Sequence, residues 1–201
     1  MIETISRKFA GWLLKQEAIR QDQVPLYEYA VFTLIFNLLP VGLAFVIGLF
    51  MHMGAESISM MIPFIFTRKF SGGYHMQSPW RCFLTSTGVL SGMLVLIRVI
   101  DARQLYYPFW IVLIFSEVGI FLLSPIDTEA RKLTEKEQRT FKTAARVISV
   151  VFVLITALLY MIGHKGIAVA VGFGVALTAL LQMPIAIQKV TTSLRNHASA
   201  L

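Results

Sequence analysis

Long apolar runs separated by short polar segments dominate the chain. Val31–Met51 and Ile167–Ile187 are each long enough to cross the roughly 30 Å core of a bilayer as helices. Phe83–Ile97, Tyr107–Leu123 and Val147–Gly163 span if their ends extend into the interface. Ser57–Thr67 is the weak stretch: at about 1.5 Å per residue it covers about half of such a core. It reads as a short span completed by its flanks, or as a re-entrant piece. Residues 1–22 show a different period. Ile2, Ile5, Phe9, Trp12 and Leu13 fall on one helical stripe, with Arg7, Lys8, Lys15 and Arg20 mostly off it. This pattern predicts an amphipathic helix lying in the membrane interface; the alternative is a helix packed on the protein's own loops.

The expected architecture is therefore an all-α integral membrane protein, a single polytopic domain over 1–201. It has about six transmembrane helices in 31–187 and an interfacial N-terminal helix. Composition agrees, since 56% of residues are hydrophobic and 14% charged, with a mean hydropathy of +0.70. The net charge of +7 would suit nucleic acid, but it is concentrated in the loops, as at the cytoplasmic edges of a membrane protein. No nucleic-acid partner is expected; the lipid bilayer is. In the six-span arrangement, fifteen lysines and arginines fall in loops on one side and three on the other. The positive-inside bias puts both termini in the cytoplasm, together with the segments 68–82 and 124–146. No secretory signal peptide is expected at the charged N-terminus.

One polar segment interrupts this pattern: Arg68-Lys69-Phe70-Ser71-Gly72-Gly73-Tyr74-His75-Met76-Gln77-Ser78-Pro79-Trp80-Arg81-Cys82. It contains the single cysteine, with a histidine seven residues before it. Ser78-Pro79 has the form of an N-cap followed by a first helical residue, placing Cys82 in the first turn of the third span. The positive end of the helix and Arg81 favour negative charge there. A continuous helix would hold His75 and Cys82 about 10 Å apart, but Gly72-Gly73 and Pro79 argue for a loop that folds back. Imidazole beside thiol is the arrangement that activates a cysteine nucleophile, and glycine amides can line an oxyanion hole. Equally, a single cysteine can be a small apolar residue and a loop histidine simply solvated.

Other chemistries fit worse. No G-x-S-G or H-E-x-x-H occurs, the three aspartates sit in loops, and His52, His75, His164 and His197 are scattered. Neither a metal nor a cofactor is expected. Glu117 falls within a span, so it is either functional, or paired with a nearby arginine such as Arg98, or kept protonated. Gly88 and Gly92 form a G-x-x-x-G that would permit close helix packing and a homodimer.

Arg68-x-x-x-Gly72-Gly73-x-His75 followed by Cys82, in a small multispan protein, resembles the accessory gene regulator protein B (AgrB) family. These are bacterial membrane cysteine endopeptidases that process peptide pheromone precursors. Ser124-Pro125-Ile126-Asp127 and the basic run through Arg131, Lys132 and Lys136 are similar to the family's second cytoplasmic loop. The resemblance implies a plasma-membrane protein with Cys82 as nucleophile, His75 as base, and Arg68, Gly72 and Gly73 as supports. Arg81, through its positive potential beside Cys82, and Ser78, as the N-cap, are further candidates for site support. Asp127, Arg131, Lys132 and Lys136 are candidates for contacting the substrate, an AgrD-like precursor. Gln77, Ser78 and Asp127 are unranked candidates for orienting His75. The resemblance further implies an acyl-thioester on Cys82 resolved by cyclisation to a thiolactone or lactone. The rival from another class is a small transporter or sensor scaffold with Glu117, Asn37 and Gln182 lining a pathway.

Overall fold

The computed structural model describes residues 2–72, 79–126 and 134–198, leaving aside the side chains of 79, 186, 188–190 and 192–198. All secondary structure among them is helical. The helices are α1 Ile2–Lys15, α2 Val24–Phe50, α3 Gly54–Ser71, α4 Pro79–Arg103, α5 Tyr106–Leu123, α6 Glu135–Met161 and α7 Lys165–Ala198. A 3-10 turn at Gln21–Gln23 leads into α2. Five helices among the described residues are long and apolar enough to cross a membrane: α2, α4, α5, α6 and the first part of α7. The chain is thus a multi-pass membrane protein.

The weak stretch at Ser57–Thr67 is longer than the apolar pattern indicates. α3 has 18 residues, about 27 Å of helix. Its charged flanks are what hid it. Glu56 lies in the first turn and Arg68 and Lys69 in the last, each favourable to the helix dipole there. The N-terminal helix is shorter than the expected 1–22. It stops at Lys15, where Ala18 N–H reaches Leu13 O (3.1 Å) and Glu17 N–H reaches Leu14 O (3.0 Å). This pair of bonds is a Schellman motif with Glu17 in the left-handed region (φ 54). The same motif ends α2 at His52 (φ 57), α4 at Gln104 (φ 53) and α6 at Gly163 (φ 93).

The chain divides into two compact units, and α2 and α4 contribute a stretch to each. The first comprises Met1–Ile47 and Met76–Ser91. There α1 buries its small residues Ser6 and Ala10 and leaves Ile5, Phe9 and Trp12 exposed. Ile2 and Leu13 of the same stripe are half-buried. Arg7 Nε reaches Glu28 Oε1 of α2 at 3.3 Å.

The second unit comprises Gly48–His75 and Gly92–Leu201 and is built around α7. Residues 168–179 of α7 are buried on all sides. This stretch is rich in alanine and glycine, so neighbouring backbones approach closely, the packing that holds helices together where lipid is as apolar as protein. A methyl group on Gly174 would collide with the Met60 carbonyl and the Pro63 ring; on Gly172 it would lie 2.5 Å from the Phe109 ring. α3 runs parallel to α7, with Glu56 beside Gly166, Met60 against Gly174 and Ser71 against Gln182. α5 is also parallel to α7, since Phe109 meets Phe173 and Gly119 meets Ala179. α6 runs the other way, pairing Tyr160 with Tyr106, Ser149 with Glu117 and Arg146 with Phe121. The C-terminal ends of α3 and α5 therefore emerge at one end of this unit, near Gln182.

Candidate functional site

α4 begins at Pro79, as the Ser78-Pro79 start signal predicts. Cys82 is its fourth residue, half-buried, with Sγ 4.0 Å from Ser86 Oγ one turn on. Arg81 beside it is exposed. Within the same unit four aromatic rings cluster at this helix start. Trp80 and Phe83 meet edge to face at 5.8 Å, and Phe36 of α2 meets them at 6.1 and 6.4 Å. Phe32 stacks on Phe36 at 5.4 Å. Trp80 is 67% exposed, and at about 100° per residue Cys82 and Ser86 lie on a different face of α4 from Trp80 and Phe83.

In the second unit, the segment leading towards His75 starts from a tightly tied point. Arg68 sits half-buried in the last turn of α3 with its guanidinium 5.7 Å above the Phe64 ring. Its carbonyl accepts the Gly72 N–H at 3.1 Å. Gly72 has φ +73, and a Cβ there would lie 2.7 Å from the Ile126 carbonyl oxygen. Glycine is required on both counts. The Ser71 carbonyl accepts two donors, Ile126 N–H at 3.0 Å and Gln182 Nε2 at 3.1 Å. Gln182 Nε2 also donates to Ser124 Oγ at 2.8 Å. The two polar segments singled out from the sequence therefore leave the helices side by side, one just past Ser71 and the other just past Ile126.

His75, Gly73, Gln77, Ser78, Asp127, Arg131 and Lys132 lie outside the described residues. Lys136 is exposed in the first turn of α6, flanked by Glu135 and Glu137. The basic segment 124–146 is thus helical from Glu135 onward. Thr134 caps that helix through a capping box with Glu137, the Thr-x-x-Glu signal that places the start 12 residues before Val147. Phe70 of α3 packs edge to face on Phe141 of α6 at 5.8 Å. Glu117 is not paired with Arg98: it accepts from Ser149 Oγ at 2.8 Å, while Arg98 donates to the Met51 carbonyl at 3.2 Å. Among the described residues a Cβ on Gly88 or Gly92 would meet nothing within 4 Å. Among the described residues no cluster of three or more His, Cys, Asp or Glu is placed to hold a metal.

The fold and this helix-start cysteine define a polytopic α-helical membrane protein with a thiol in the first turn of one of its long helices. The model of the family Accessory gene regulator B matches residues 6–183, and the chain belongs to that family. The family's role lies in accessory gene regulator quorum sensing, where it processes peptides. Two relatives come from Clostridium perfringens. One, named "Putative AgrB-like protein" (strain SM101 / Type A), is 23% identical over 164 residues, covering 79% of this chain and 77% of the relative. The other, named "Putative AgrB-like protein 2" (strain 13 / Type A), is 22% identical over 189 residues, 88% of each. No solved structure matches the chain.

The sequence offers Gln182 only as a candidate pathway residue and Ser124 only within Ser124-Pro125-Ile126-Asp127, and nothing in it joins the two. Gln182 reads as a pathway residue because it is a lone amide in an apolar run. The available signal is position: it lies 16 residues beyond Gly166, about 24 Å up α7, at the depth where α3 and α5 end.

Proposed function

We propose that this protein is a membrane cysteine endopeptidase that cleaves a peptide pheromone precursor and cyclises the retained part. Family membership across residues 6–183, with Cys82 at the start of α4, carries the reading. Cys82 Sγ attacks the scissile carbonyl carbon, and the thiol proton passes through His75 to the departing amine as the C–N bond breaks. The N-terminal part of the precursor remains as an acyl-thioester on Cys82. A thiol or hydroxyl within that part attacks the thioester carbonyl. The C–S bond breaks, the proton returns to Cys82, and a thiolactone or lactone leaves. Thioester exchange is nearly balanced, so excluding water matters more than driving force.

Arg68, Gly72 and Gly73 support the site in this reading. Arg131 and Lys132 attract an acidic part of the substrate, with Lys136 contributing less because two glutamates flank it. The positive-inside bias supports cytoplasmic termini and a site on the cytoplasmic side of the plasma membrane. Intact-protein mass spectrometry tests the scheme on full-length protein in liposomes with precursor. The wild type is expected to carry an adduct of the N-terminal precursor fragment on Cys82, absent from Cys82→Ala and His75→Ala. Normal processing by Cys82→Ala would end the proposal.

A further inference from the structure

We infer that Gln182 is a positioning residue for this chemistry: its carboxamide ties the end of α3 to the end of α5, fixing where the segment leading to His75 leaves the bundle. The inference rests on the peptidase reading and deepens it. Gln182 is fully buried, and its nitrogen donates to the Ser71 carbonyl at 3.1 Å and to Ser124 Oγ at 2.8 Å. The Ser71 carbonyl can only accept, so the nitrogen must be the atom that faces it. The same carbonyl receives Ile126 N–H at 3.0 Å, and Gly72 follows at φ +73 against the Ile126 carbonyl. One amide on α7 therefore closes a junction of three segments: α3 at Ser71, the turn after α5 at Ser124, and α7 itself.

Packing alone gives no reason for an amide here. The preceding turns of α7 are Val175-Ala176-Leu177-Thr178-Ala179-Leu180-Leu181, and leucine would fill the site. The amide also has a cost, because its oxygen is buried without a partner. What offsets that cost is the pair of acceptors reached by the nitrogen, both at the roots of polar segments. Ser71 is four residues before His75 in sequence, and in the proposed chemistry the tie at Ser71 sets the point from which the segment that carries the general base begins. A general base misplaced by about 1 Å loses much of its rate while the substrate still binds.

The test uses the full-length protein in liposomes and compares wild type, Gln182→Leu, Gln182→Met, Ser124→Ala and Cys82→Ala. Hydrogen exchange at the Ile126 amide reads the junction without any reaction. Gln182→Leu and Gln182→Met are expected to raise it about tenfold, as the loss of one or two hydrogen bonds implies, and Ser124→Ala to raise it less. Amides of residues 168–175 should keep their protection. In precursor processing, kcat should fall about tenfold or more in both Gln182 variants with KM within about twofold. Unchanged Ile126 exchange and unchanged kcat overturn the inference. So does protection lost throughout 168–175 in both Gln182 variants, because the residue would then only hold the fold. Cys82→Ala separates the two ideas. If it still processes precursor, the peptidase reading fails and exchange alone judges the junction. If it is inactive while Gln182→Leu matches wild type in both readouts, the junction fails and the peptidase reading stands.

Discussion

The two ends of the α7-centred unit solve the same problem in opposite ways. Helices must terminate there, and their last carbonyls and first amides need partners. At the end holding Ser71, Ser124, Ile126 and Gln182, uncharged groups are buried and bonded to one another across three segments. At the other end, Glu56, Asp101, Tyr106, His164 and Lys165 line an open polar basin of about 420 Å³. There Tyr106 donates to Asp101 at 2.9 Å, and the Lys165 ammonium sits 5.1 Å above the Tyr106 ring. Water can replace any partner in the basin. It cannot do so at the junction, where loss of one group strands another. The difference teaches where rigidity has been placed: at the end from which the candidate catalytic segment departs.

Two glycines with positive φ break or confirm that contrast most sharply. Gly72 (φ +73) has the Ile126 carbonyl against it, whereas a methyl group on Gly163 (φ +93) would meet nothing within 4 Å. Gly72→Ala combines left-handed strain of about 1–2 kcal/mol with overpacking of about 1–3 kcal/mol. It should lower precursor processing about 100-fold or more. Gly163→Ala suffers the strain alone, about 1–2 kcal/mol, spread over the bundle's stability rather than placed at the site. Processing rates in liposomes with thermal melts in detergent check both; equal activity losses would erase the distinction between the ends.

Gly174→Ala should come next. Its methyl meets the Met60 carbonyl and Pro63 ring in the middle of the unit, so about 1–3 kcal/mol of bundle stability should be lost. Because the insult is central, thermal stability should fall while processing per folded molecule holds. A selective loss of activity would show that strain at mid-depth reaches the junction. Glu117→Gln should do less. The amide oxygen still accepts from Ser149 Oγ, so processing should stay within about twofold. Loss of function there, with a silent Cys82→Ala, is the signature of the transporter reading.

These contrasts also mark what the sequence makes legible. Five apolar runs announce five helices, and the sixth run is seen but shortened, because the pattern stops at charges that the helix carries onward at Glu56, Arg68 and Lys69. Three helix ends are hidden for another reason. Glu17, His52 and Gln104 occupy left-handed positions where glycine would have been the readable signal. The start of α4 at Pro79 is legible from local chemistry alone, whereas the apolar pattern, beginning at Val147, passes over the Thr134-x-x-Glu137 box that starts α6. The need for glycine at 72 emerges only from the Ile126 carbonyl, 54 residues away in sequence. Likewise nothing local tells a bonded Gln182 from one lining a pathway.

The smallest effect expected lies at the open end. Asp101 accepts from Tyr106, and its carboxylate lies 3.5 Å from where a Gly166 methyl would be, beside the first turn of α7. A negative charge near a helix N-terminus is favourable by about 0.3–1 kcal/mol where solvent screens it. Asp101→Asn keeps an acceptor for the tyrosine and removes the charge. Thermal stability should fall by no more than that, and less in high salt, because screening has already weakened what is lost. The site segment departs about 24 Å away along α7, from Gly166 to Gln182, through a core without charges in residues 166–182. No group on that path titrates or pairs with Asp101, so processing should be unchanged within about twofold. A salt-independent drop in processing would mean that the basin and the junction act as one, and that the contrast between them is structural only.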